Sequence, residues 1–178
     1  DIAFAVALPA LIALLIGTAA IYGAVYIARW LDDCGYHIPG AVRIAQHHNP
    51  YFVDAPTDTD WYPAGAETFA ALFVFALRSI NATNATGAIC FASLCAIVYA
   101  AAGLWTSNLV VRLSCVLCTG TIPLLLGQSL AFYVDIHFTV LVCAALWLQA
   151  ASLVRRRADY AWAALVAAIL TASVKYSG

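Results

Sequence analysis

Apolar runs dominate the chain, separated by short polar stretches. A helix crosses a bilayer with roughly 17–25 mostly apolar residues. Five runs are candidates: residues 2–28, 85–104, 109–126, 138–154 and 160–174. A sixth, residues 64–77, is shorter and follows Pro63. It reads as a helix lying along the interface, or dipping into it, within the loop after the first span. Tyr51, Phe52, Trp61 and Tyr62 precede it and fit an aromatic interfacial belt. Residues 39–47 predict a second short helix in that loop. Pro39 and Pro63 suit first-turn positions, where no N–H is needed. The expectation is an all-α fold: a polytopic membrane helix bundle with about five transmembrane helices, plus juxtamembrane helices in the outer loop 32–84.

Composition agrees with that class. The chain has 178 residues, 65% of them hydrophobic and 10% charged. Its mean hydropathy is +0.90. These values exclude an ordinary soluble domain. A net charge of −1 gives no reason to expect nucleic acid as a partner. The sequence begins at Asp1, contains no Met and stops at Gly178 after an apolar run. It reads as a fragment, or as the ordered part, of a longer chain. The first run is too long for a signal-peptide core.

Charge sets the expected orientation. With the amino terminus inside, the inner loops carry Arg112, Arg155, Arg156 and Arg157 against Asp159. The outer segments carry Asp32, Asp33, Asp54, Asp58, Asp60, Glu67 and Asp135 against Arg29, Arg43, Arg78 and Lys175. The arginine triplet in a tight loop is the strongest positive-inside signal. Were residues 64–77 to cross as well, Asp135 would move inside and the triplet outside.

The cysteines add little. Cys90, Cys95, Cys115, Cys118 and Cys143 lie in apolar runs, where Cys behaves as a small hydrophobe. Cys115 and Cys118 form a CxxC pattern with no histidine or second pair near them, which argues against a metal. Cys34 is the one cysteine in a polar stretch of the sequence.

Candidate chemistry lies at the span ends. Asp32 and Asp33 follow the first run, and Asp135 sits between two later ones. Ionisable groups at the edge of the hydrocarbon are costly, so they mark functional positions by default. A partly buried carboxylate can act as a general base. The plainer readings stand beside these. Asp32 and Asp33 can be interfacial charges ending a helix, and Asp135 the N-cap of a helix from Ile136. His137 can bind a divalent metal with Asp135, or simply hydrogen-bond near a helix start. Lys175, the one lysine of the chain, can pair with a phosphate or snorkel to the interface. Glu67 can line a pocket or merely complement a helix dipole. His47 and His48 read as a solvated edge. Asn81-Ala-Thr83 and Asn84-Ala-Thr86 are formal sequons, relevant only in a eukaryotic secretory pathway.

The order of motifs carries a resemblance. Asp32-Asp33-Cys34-Gly35-Tyr36-His37-Ile38-Pro39 follows the first run. Asn49-Pro50-Tyr51-Phe52 and Tyr62-Pro63-Ala64-Gly65-Ala66-Glu67 come next, then Ala131-Phe132-Tyr133-Val134-Asp135 and Lys175-Tyr176-Ser177-Gly178. This series resembles the amino-terminal module of the GT-C glycosyltransferases, in the branch of protein mannosyltransferases and the aminoarabinose transferase. The resemblance spans nearly all of the chain. It implies sugar transfer from a polyprenyl-phosphate donor to an acceptor on the extracytoplasmic face of a prokaryotic inner membrane. It implies catalytic roles for Asp33 or Asp32 and for Asp135. Tyr36, His37, Tyr62, Glu67 and Lys175 would bind substrate. It further implies Asp135 and His137 as ligands of a divalent metal, through the D-x-H form of the second-loop pattern. Ala64 departs from the family's Tyr-Pro-Pro-Gly run. The implied partners are the lipid-linked sugar, membrane lipids and subunits of a larger membrane complex. The first rival is a non-catalytic structural subunit keeping this fold. The second is a transporter, for which the chain offers no inverted repeat or interrupted pair of spans.

Overall fold

The computed structural model describes residue 17, residues 33–49 and residues 64–174. The expected span 2–28, Asp32, the aromatic segment 51–62 with Tyr62, and Lys175 lie outside the described residues. A π-helical turn, Asp33–His37, runs into α1 (Ile38–His47). Helix α2 is Gly65–Leu77, and a 3-10 turn, Ile80–Thr83, leads into α3 (Asn84–Ala102). Then come α4 (Leu109–Gly120), α5 (Pro123–Ser129), α6 (Val134–Arg155) and α7 (Ala158–Val174). The fold is all-α, with no strand among the described residues.

Local chemistry explains the boundaries. Pro39 sits in the first turn of α1, as its fixed φ and missing N–H favour. His48 closes that helix in the left-handed region at φ 54°, its N–H donating to Ile44 O at 2.8 Å. Asn108 caps α4: its side-chain oxygen accepts from the N–H groups of Val110 (2.9 Å) and Val111 (3.4 Å). Asn108→Ala is expected to cost about 1 kcal/mol, seen as a lower unfolding midpoint in detergent.

Two helical segments, Ile80–Ala102 and Val134–Arg155, are long and apolar enough to cross a membrane. The count is three if α4 and α5 form one broken span. That pair corrects the continuous run expected over 109–126: the axis bends by 70° between Gly120 and Pro123. Pro123 supplies the reason. It cannot donate an N–H, and it pushes Ile122 into extended backbone (ψ 117°). The Thr121 hydroxyl donates to the carbonyls of Leu117 (2.9 Å) and Cys118 (3.2 Å) as the helix ends. Helices α2 and α7, with 13 and 17 residues, are shorter and apolar. Large side chains such as Leu146, Leu153, Trp162 and Ile169 are more than 60% exposed. Water would not favour such surfaces, whereas lipid accepts them, as in an integral membrane protein.

Packing gives the bundle two distinct ends. Gly87, early in α3, abuts the carbonyls of residues 128–131 just ahead of α6. Further along, Cys90 and Leu94 of α3 share a core with Ile136 and Val140 of α6. The two long helices therefore run side by side in one direction. Arg112 reaches back over the end of α3, its guanidinium 3.7 Å from the Tyr99 ring centre. Arg155, Arg156 and Arg157 close the α6–α7 hairpin at the same end, where Arg155 donates to the Tyr160 hydroxyl at 3.0 Å. At the other end, Ala41 of α1, Ala66 and Ala70 of α2, Phe132, Val134 of α6 and Val174 of α7 form one core. Four helices thus meet there through small side chains, which permit close backbone approach. Gly65 is part of that contact: a Cβ there would lie 2.6 Å from the Ser173 carbonyl oxygen.

Candidate functional site

The end opposite the arginines gathers the polar groups. His37 closes the π-helical turn and Glu67 lies in the first turn of α2. Their side chains meet across the α1–α2 contact, with His37 Nδ1 2.5 Å from Glu67 Oε1. Each side chain is 12% exposed, enough to be reached but largely out of solvent. Gly40 leaves the room for this: a Cβ there would lie 3.3 Å from Glu67 Cγ. An ionised carboxylate only accepts, so Nδ1 carries the proton and Nε2 keeps the lone pair in the neutral ring. The second carboxylate oxygen, Oε2, is buried with no hydrogen-bond partner.

His137 presents a similar asymmetry. It is 4% exposed on α6. Its Nδ1–H donates to the Tyr133 carbonyl at 2.8 Å, so Nε2 again keeps the lone pair. That nitrogen is buried and unpartnered. Phe132, fully buried, packs edge-on against both imidazoles, at 5.8 Å from His37 and 5.6 Å from His137. Phe69 lies 6.2 Å from the His137 ring, and Tyr36 stacks obliquely on His37 at 4.1 Å. The two histidines and Glu67 thus surround an aromatic wall instead of meeting in one shell.

Asp135 sits half-buried in the first turn of α6. The expected N-cap role does not hold: α6 begins at Val134 and its N-cap position is Tyr133. The acid one residue into the helix still complements the positive end of the dipole. The same boundary bears on the metal expectation. Helical residues two apart point to different sides, so Asp135 and His137 do not fit as joint ligands of one ion. Among the described residues, no group of three or more His, Cys, Asp or Glu is placed to hold a metal.

Other candidates divide plainly. Asp33 opens the π-helical turn, but its side chain is outside the described set, as are Asp32, Tyr62 and Lys175 entirely. Lys175 directly follows Val174, a member of the core at the same end. His47 and His48 are exposed, as a solvated edge requires, and His48 packs edge-on against Phe75 at 5.2 Å. Asn84 is 4% exposed in α3, so its sequon is closed in the folded chain. Cys115 and Cys118 are free and exposed on α4. Sequence reasoning named His37 and Glu67 separately and missed both their pairing and Phe132. The available signal was Gly40, three residues after His37, where a helix interior has no local reason for glycine.

No family model, curated protein or solved structure matches the chain.

Proposed function

We propose that the chain is the amino-terminal module of a membrane glycosyltransferase of GT-C type. It moves a sugar from a polyprenyl-phosphate donor to an acceptor on the extracytoplasmic face. The observation that carries this reading is the convergence of α1, α2, the start of α6 and the end of α7 at one end of an apolar bundle. That end holds the His37–Glu67 pair and Asp135, and the opposite end holds Arg112 and Arg155–Arg157. By the positive-inside rule the acidic end faces outward. In this reading five spans cross, α2 lies at the outer interface, and Lys175 emerges from α7 beside the donor phosphate. Asp135 and an acid of the Asp32-Asp33 pair orient the acceptor. No step depends on a metal.

Two measurements test it. A cysteine placed at position 156 should react with a membrane-impermeant maleimide only after the membrane is opened. A tritiated polyprenyl monophosphate should bind the full-length protein in nanodiscs saturably. Unlabelled polyprenyl monophosphate should compete and the dephosphorylated alcohol should not. Equal competition by the alcohol would reduce the site to general lipid contact and leave the structural-subunit reading.

A further inference from the structure

We infer that His37 is the proton acceptor of the transfer reaction and that Glu67 is the carboxylate that orients it. This rests on the transferase reading and assigns the proton within it. Glu67 Oε1 holds the Nδ1–H side of the ring at 2.5 Å, across a contact between two helices. A side chain fixed at both its helix and its ring nitrogen has little rotamer freedom left. Phe132 and Tyr36 pack on the ring and restrict it further. With Nδ1–H turned to Glu67, Nε2 is the ring nitrogen that carries the lone pair. The arrangement also explains an odd feature of Glu67. Its carboxylate is largely buried, yet among the described residues Oε2 has no partner and the hydrogen bond to His37 is made by Oε1. A buried charge is kept at such a cost where it serves another group. A residue that merely favoured the α2 dipole would need no burial and no imidazole.

The step balances without a further reactant. The acceptor oxygen forms a bond to the anomeric carbon. The anomeric C–O bond to phosphate breaks, and its electron pair leaves with the phosphate. The acceptor's proton passes to His37 Nε2, giving an imidazolium that Glu67 stabilises at Nδ1–H, and is later released to water. A positioned base of this kind contributes about 10²–10⁴-fold.

The test uses the full-length protein in nanodiscs, with polyprenyl monophosphate mannose, glucose and arabinose tritiated in the sugar. Release of water-soluble label measures transfer to acceptor or water. His37→Gln should lower kcat at least about 100-fold while donor KM changes little. His37→Ala should lose the same activity and regain part of it when imidazole is added, which a structural role would not allow. Glu67→Gln keeps an acceptor oxygen but not the charge and should give an intermediate loss. Melting curves of each variant in nanodiscs check that it is folded. If His37→Gln transfers within threefold of the parent, or folded His37→Ala is not rescued by imidazole, the assignment is overturned while the transferase reading stands. If the parent protein releases no label from any of the three donors, both fall together.

Discussion

Gly87→Ala is expected to unseat the junction between α3 and α6 and to lower stability. An added Cβ would lie 2.6 Å from the Ala131 carbonyl oxygen, 2.9 Å from that of Gln128 and 3.0 Å from that of Ser129. All three are backbone atoms, so no side-chain rotation relieves the contact. Overpacking of this kind costs about 1–3 kcal/mol, occasionally more, because the displaced segment must carry its neighbours along. Those neighbours include Phe132, which is fully buried and touches both histidines. The fall should appear as a lower thermal midpoint in nanodiscs and a loss of polyprenyl monophosphate binding. Gly127 in α5 provides the contrast: nothing lies within 4 Å of a Cβ there. Gly127→Ala should leave stability unchanged or raise it by up to about 1 kcal/mol through helix propensity. A Gly87→Ala protein as stable as Gly127→Ala would mean that the α3–α6 junction does not have this packing.

Asp135→Asn should lower sugar release by roughly two orders of magnitude while leaving the fold intact. The residue lies in the first turn of α6, at the same end as the His37–Glu67 pair. It lies one residue inside the helix, whose N-cap position belongs to Tyr133, and on the proposed reading its charge holds the acceptor. Asn preserves size, and losing a first-turn acid costs only about 0.3–1 kcal/mol of dipole interaction. An unchanged midpoint with lost transfer would assign the charge to the reaction. Transfer within threefold of the parent would leave Asp135 as a helix-terminus charge.

Much of the fold was legible because apolar run length depends on composition alone. The run from residue 85 appears as α3, and that from residue 138 as the body of α6. The short loop helices appeared at Ile38–His47 and Gly65–Leu77. Pro39 lies in the first turn of the former, whereas the latter begins at Gly65 with Ala64 as its N-cap, so the first-turn place expected for Pro63 does not hold. The run 109–126 was misread because hydropathy does not register Pro123, whose effect is on backbone geometry. The start of α6 was also misplaced, by two residues. Asp is a strong cap by propensity, but Val134 and Phe132 are drawn into the buried core and fix the start earlier.

The sequence by itself determined that this is an all-helical, membrane-type chain, with an arginine triplet at positions 155–157. Those properties follow from residue type and order, which act locally or through the bilayer. Which polar residues meet was decided only by the tertiary structure. His37 and Glu67 are thirty residues apart, and no periodicity links them. They pair because Gly40 lets α1 and α2 approach and because Gly65 seats α2 against Ser173 at the end of α7. The separation of Asp135 from His137 was decided in the same way. As an extended D-x-H segment they would share a face, since strand side chains repeat every two residues. Once Val134 is buried and the helix begins there, a turn of about 100° per residue sends them apart.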